Sequence, residues 1–131
     1  MQVAINQLSV KMRSELLCKE EYMLCQQYLR GNRKAGDILF NHHYTLLTKK
    51  VKMITFRSVL NEQDKEDLIQ NVMLKVLTCL RSYNGRYRFW TWMKQIMKHE
   101  FFRMLKRKYR VHSIIVNEGL IANDLLVDIK K

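Results

Sequence analysis

From Arg86 to Arg110 the sequence carries nine lysines and arginines: Arg86, Arg88, Lys94, Lys98, Arg103, Lys106, Arg107, Lys108 and Arg110. A single acid, Glu100, stands against them, and Tyr83, Tyr87, Phe89, Trp90 and Trp92 crowd the start of the same stretch. Cations suit phosphate oxygens, whose contacts supply most of the affinity for nucleic acid and make it salt-dependent. Rings beside cations suit unpaired bases, which stack on them with little regard to sequence. At about 100° per residue, Lys94, Lys98, Arg103, Lys106 and Arg110 spread over one half of a helix, and Met93, Met97, Phe101 and Met104 fill the other. Trp90 falls in the apolar half, and Trp92 lies roughly 160° from it, on the side of Arg103 and Arg110. At least one of the two rings is therefore expected near the surface, with Phe89 and Trp90 as core anchors. The charge pattern by itself fits a merely solvated face equally well. The combination with the rings tilts the reading toward a bound single strand.

A contrasting surface comes just before. Glu62, Asp64, Glu66 and Asp67 are four of the twelve acids in the chain. DNA would be repelled there, and a basic protein partner would be attracted. Ordinary capping and compensation of the helix dipole explain part of the pattern.

These residues need helices to position them. The chain has no proline and four glycines in 131 residues, which points to long helices and few turns. Leu16, Leu17, Met23, Leu24 and Leu29 predict one helix or two short ones over 8–30, stopped at Gly31-Asn32. Leu39, Phe40, His43, Leu47, Val51 and Ile54 form one stripe of a second helix, from about 34–37 to 57. Asn61 reads as the N-cap of a third, over 64–80, with Leu68, Ile69, Val72, Met73, Val76, Leu77 and Leu80 as its buried face. Asn84-Gly85 is a turn. A fourth helix follows over 88–110, with Phe89, Met93, Ile96, Met97, Phe101, Met104 and Leu105 facing inward. In the tail, Ile114, Ile115 and Val116 read as extended, and Leu120 to Ile129 as a short helix. The expected fold is all-α, a compact bundle of about four helices, divided into an N-terminal helical segment (1–30), a helical domain (31–110) and a short tail or partner-docking segment (111–131).

Composition narrows the function classes. The net charge of +12 implies a polyanionic partner. No run reaches the roughly 18 apolar residues of a membrane span, and Met1 to Val10 does not read as a secretory signal, so a cytoplasmic protein with no membrane partner is expected. Cys18, Cys25 and Cys79 are odd in number and unclustered, which fits reduced thiols; Cys18 and Cys25, seven apart, share a helix face. His42 and His43 point in different directions on a helix, and no spacing suits a metal. Paired carboxylates with a histidine and phosphate-cradling glycine loops are missing, so neither an enzyme nor a cofactor is expected.

Three blocks of sequence resemble a known family. Asp67-Leu-Ile-Gln-Asn-Val-Met-Leu-Lys-Val-Leu77 is similar to the Asp-Leu-Val-Gln-Glu-Val-Phe-Leu signature of σ region 2. Phe89-Trp-Thr-Trp-Met93 is similar to Phe-Arg-Thr-Trp-Leu, and the basic stretch Arg103 to Arg110 resembles the family's basic helix end. Gly31-Asn32, Ala35, Leu39-Phe40 and His43-Tyr44 fit Gly-Asp-x-x-Ala-x-x-x-Leu-Tyr-x-x-Tyr-Tyr. The order and spacing match extracytoplasmic-function-type σ factors of the σ-70 family, over about Cys25 to Arg110. The resemblance implies an initiation factor of a bacterial or phage-infected cell, associated with the nucleoid. Asp67, Gln70, Asn71 and Leu74 would dock on the clamp helices of the largest subunit of core RNA polymerase. The loop 82–88, with Tyr83, Asn84, Arg86, Tyr87 and Arg88, would hold a base flipped from the −10 promoter element, helping to melt it. Trp92, Lys94, Lys98, Arg103 and Arg107 would contact the non-template strand and the duplex edge. Asn71 stands where glutamate is usual and Trp90 where arginine is common. Nothing in the 21 residues after Arg110 resembles region 4, which reads the −35 element. A separate region 4-like subunit or an anti-σ factor is a further partner left open. So are two other functions: a σ-derived nucleic-acid-binding regulator, and a clamp-binding interaction module without initiation activity.

Overall fold

The computed structural model describes residues 9–116, with side chains described within 9–110. Four α-helices and one short 3-10 turn follow in order: α1 Val10–Leu29, α2 Arg33–Ile54, α3 Glu62–Thr78, the turn Leu80–Ser82, and α4 Phe89–Val116. The fold is all-α, as the periodicity predicts.

The two-residue link between α1 and α2 uses both residue types for their chemistry. Gly31 takes φ +105°, a conformation that costs glycine little. That lets the Gly31 N–H reach the Tyr28 carbonyl at 2.9 Å and the Asn32 N–H reach Gln27 at 3.0 Å, which satisfies the last carbonyls of α1. The Asn32 side chain then accepts the Ala35 N–H at 3.2 Å and starts α2. At the far end Asn61 and Asp64 form a reciprocal capping box. The Asp64 N–H donates to Asn61 Oδ1 at 2.8 Å and the Asn61 N–H to Asp64 Oδ2 at 3.0 Å.

Asp64 also holds α4. Lys108 Nζ lies 3.1 Å from Asp64 Oδ2, so the distal half of α4 runs back along the start of α3 as an antiparallel partner. One core joins all four helices: Cys25 of α1, Leu39, Leu47 and Val51 of α2, Leu68, Val72 and Val76 of α3, and Phe89, Met93, Met97 and Phe101 of α4. Cys18 and Cys25 are buried together on α1 as their spacing predicts, Cys79 is half-buried, and all three thiols are free. The Cys25 thiol donates to the Leu80 carbonyl at 3.8 Å, pinning α1 to the turn after α3.

The first segment is one helix, one of the two forms expected. One expectation is corrected. The stretch Ile114 to Val116 is not extended: α4 continues through it to Val116. Extending an established helix adds one hydrogen bond per residue fixed, and that outweighs the few tenths of a kcal/mol by which β-branched residues disfavour it. The short helix expected at Leu120 to Ile129 lies outside the described residues. Among the described residues, no helix is long and apolar enough to cross a membrane.

Candidate nucleic-acid interface

The loop joining the 3-10 turn to α4 is built by local constraints. Tyr83 is 2% exposed, its ring edge-on to Phe89 at 5.1 Å. Its hydroxyl donates to the Tyr87 carbonyl at 2.7 Å and so spans the loop from inside. Burial, and then the charge of Glu21, push the Tyr83 phenol well above its usual range, so it stays a donor. Asn84 Oδ1 accepts the Arg86 N–H at 2.9 Å, an Asx-type turn. Gly85 sits at φ +75°, and a Cβ there would come within 2.7 Å of Tyr22 Cβ on α1. Glycine is thus required twice over, for the backbone angle and for the close approach. The tightened loop leaves Asn84, Arg86 and Tyr87 facing outward, with Tyr87 61% exposed.

Below the loop lies a buried carboxylate that the linear pattern does not reveal. Glu21 of α1 accepts the Phe89 N–H at 3.0 Å and Arg88 Nε at 2.8 Å. His43 Nε2 lies 3.3 Å from its other oxygen, and His43 Nδ1 lies 2.6 Å from the Leu39 carbonyl. Burial alone would raise the Glu21 pKa, and it is the largest single influence. The hydrogen bonds from His43, Arg88 and the Phe89 amide together outweigh it and hold the carboxyl down at about 2. The same contact raises the Arg88 pKa. Glu21 therefore caps the N-terminus of α4, where a negative charge meets unsatisfied N–H groups and the positive end of the helix dipole.

The predicted strand-contacting residues divide accordingly. Arg86, Tyr87 and Asn84 are together on the outer loop. Lys94 and Lys98 follow on α4, half-buried, and no acid lies within ion-pair distance of either among the described residues. Arg103 is 61% exposed and 3.4 Å from Glu100, its neighbour one turn back. Tyr83 does not belong to the surface set: its ring is sealed against Phe89 and Trp92, because the loop needs an internal anchor. Arg88 is turned inward onto Glu21 rather than outward. Trp92 is half-buried, its ring 5.3 Å from both Tyr83 and Phe89, and Trp90 is half-buried too. Neither ring stands free: both pack against the core, Trp92 within the aromatic cluster at the start of α4. Phe89 is fully enclosed, as expected. Arg107 belongs elsewhere: it lines a cleft with Asp64, Asp67, Met104 and Lys108. The antiparallel course of α4 carries Arg107 beside the acidic start of α3, so the two predicted sets meet there.

On α3, Asp67, Gln70, Asn71 and Leu74 follow at steps of three, one and three and share an outward stripe. Leu74 is 63% exposed, a large apolar side chain left in water, and Leu77 continues the stripe. Leu77 was expected in the core. It turns outward because Val76 fills that side. Asp67 accepts Gln63 Nε2 at 3.0 Å. The acidic start is less bare than the sequence suggests, since Asp64 is buried and paired with Lys108 and Glu62 lies 3.0 Å from Lys65.

A model of the family described as Sigma-70 region 2 matches residues 39–111. Among curated proteins, the chain is 29% identical over 91 residues to the RNA polymerase sigma factor YlaC of Bacillus subtilis (strain 168). That alignment covers 68% of this chain and 50% of YlaC, so the chain spans about half the length of this curated relative. No solved structure matches the chain.

Proposed function

Since the chain belongs to the σ-70 family, whose region 2 covers more than half of it, we propose that it is a σ-like initiation factor that joins core RNA polymerase to the opened −10 element of a promoter. The observation carrying this reading is the pairing of two outward surfaces on one rigid bundle. One is the α3 stripe of Asp67, Gln70, Asn71 and Leu74, where an exposed leucine among polar groups suits a protein partner such as the clamp helices. The other is the loop of Asn84, Arg86 and Tyr87 continuing into Lys94, Lys98 and Arg103. There an exposed ring offers stacking for an unpaired base, and the cations offer phosphate contacts. Unstacking a base costs a few kcal/mol, which stacking and phosphate contacts together can offset. Trp92 contributes the edge of its half-buried ring. Chemistry on a substrate has no part in this reading.

The test is reconstitution. Purified protein mixed with core polymerase from its own cell type should co-elute with it and direct promoter-specific run-off transcripts. Binding to DNA with no polymerase association would instead favour a σ-derived regulator. Polymerase association that survives loss of Lys94, Lys98 and Arg86 and yields no transcript would favour a clamp-binding module. A region 4-like protein recovered with the complex would supply −35 contacts.

A further inference from the structure

The outward loop is tethered at three points, and α1 supplies two of them. The Tyr83 hydroxyl closes the span from within. Tyr22 of α1 occupies the space that a side chain at Gly85 would need. Glu21 of α1 grips the exit of the loop, taking the last loop side chain, Arg88, and the first α4 amide, Phe89. Glu21 is itself held from behind by His43 of α2. Its side chain is 10% exposed, so water competes little for these bonds. All of α1 precedes the 39–111 segment that carries the family match.

We propose that Glu21 is a positioning residue for strand selection: through Arg88 and the Phe89 amide it fixes the conformation in which Asn84, Arg86 and Tyr87 meet an unpaired strand. It touches no nucleic acid itself. The proposal rests on the strand-binding reading above and goes beyond it by assigning the selectivity of the loop to a helix outside the matched segment. Phosphate attraction needs only nearby cations and tolerates a moving loop. Discrimination between bases needs the ring and polar groups held still. Loss of Glu21 should therefore remove selectivity and leave general affinity nearly intact.

The experiment uses the full chain. A single-stranded DNA is first enriched on the wild-type protein from a random pool, and its affinity is compared with that of an unrelated strand of equal length. Glu21→Gln keeps the side-chain shape and sets an amide donor against the Arg88 or His43 donors. It should lower affinity for the enriched strand at least tenfold and affinity for the unrelated strand less than twofold. Exchange of the Phe89 amide with solvent should accelerate, while helix content at low temperature stays that of the wild type. Arg88→Met, at a side chain 38% exposed, severs only the link to the loop and serves where Glu21 variants fold poorly; it should show the same loss of selectivity. Retained selectivity in Glu21→Gln with an accelerated Phe89 amide overturns the proposal. So does an equal loss on both strands that tracks the unfolded fraction. If the wild-type chain enriches no strand, the strand-binding reading itself fails, and this proposal with it.

Discussion

A carboxylate taken out of water is costly unless charged partners or N–H groups surround it. Glu21 has Arg88, His43 and the Phe89 amide, and its folded pKa of about 2 lies below the ordinary 4.5. Folding thus favours the charged form. The stabilisation is complete above about pH 4.5 and is withdrawn as the pH falls toward 2, on the order of 3 kcal/mol in all. Urea melts of the wild type should show this loss between pH 5 and pH 2. Glu21→Gln should be less stable at neutral pH and much flatter over that range. Tyr83→Phe removes only the hydroxyl that reaches the Tyr87 carbonyl. It should cost about 1 kcal/mol in a thermal melt and leave the aromatic cluster in place. None of this was readable from the sequence. Glu21 follows Glu20 in an ordinary charged stretch, and its partners His43, Arg88 and Phe89 stand 22, 67 and 68 residues away. The signal of a single buried acid lies entirely in tertiary packing.

Helices and their ends were far more legible, because periodicity and capping are local. The Leu39-to-Ile54 stripe, the Asn61 cap and the Gly31-Asn32 stop all reappear in the structure, and each tests directly. Gly31→Ala, at φ +105°, should destabilise the bundle by about 1 kcal/mol in chemical denaturation. Asn61→Ala should cost a similar amount, roughly 1 kcal/mol, since it empties one half of the capping box. Local reasoning failed where a choice depended on neighbours. Leu77 looked like core by spacing, but Val76 occupies the inner side. The resemblance assigns Arg107 to the strand-contacting set, whereas the antiparallel packing of α3 and α4 places it in a cleft with Asp67.

For the molecule as a whole, the arrangement predicts separable defects. Leu74→Ala with Gln70→Ala, both on the exposed α3 stripe, should abolish co-elution with core polymerase and leave strand binding within twofold. Lys94→Gln and Lys98→Gln should do the reverse. Each should also flatten the log–log dependence of strand affinity on salt by about 0.7, the share of one phosphate on a single strand. The net charge of +12 points to a polyanion, and the family motifs imply which helix would meet which partner. The division between the outward side chains of the loop and the residues that hold it emerges only from the folded contacts of Tyr83 and Arg88. The three thiols differ in access. Cys18 and Cys25 are enclosed, whereas Cys79, whose backbone carbonyl accepts the Ser82 hydroxyl at the head of the loop, is partly open. A maleimide dye should therefore react first at Cys79, placing an optical reporter beside the loop of Asn84, Arg86 and Tyr87 without any engineered cysteine.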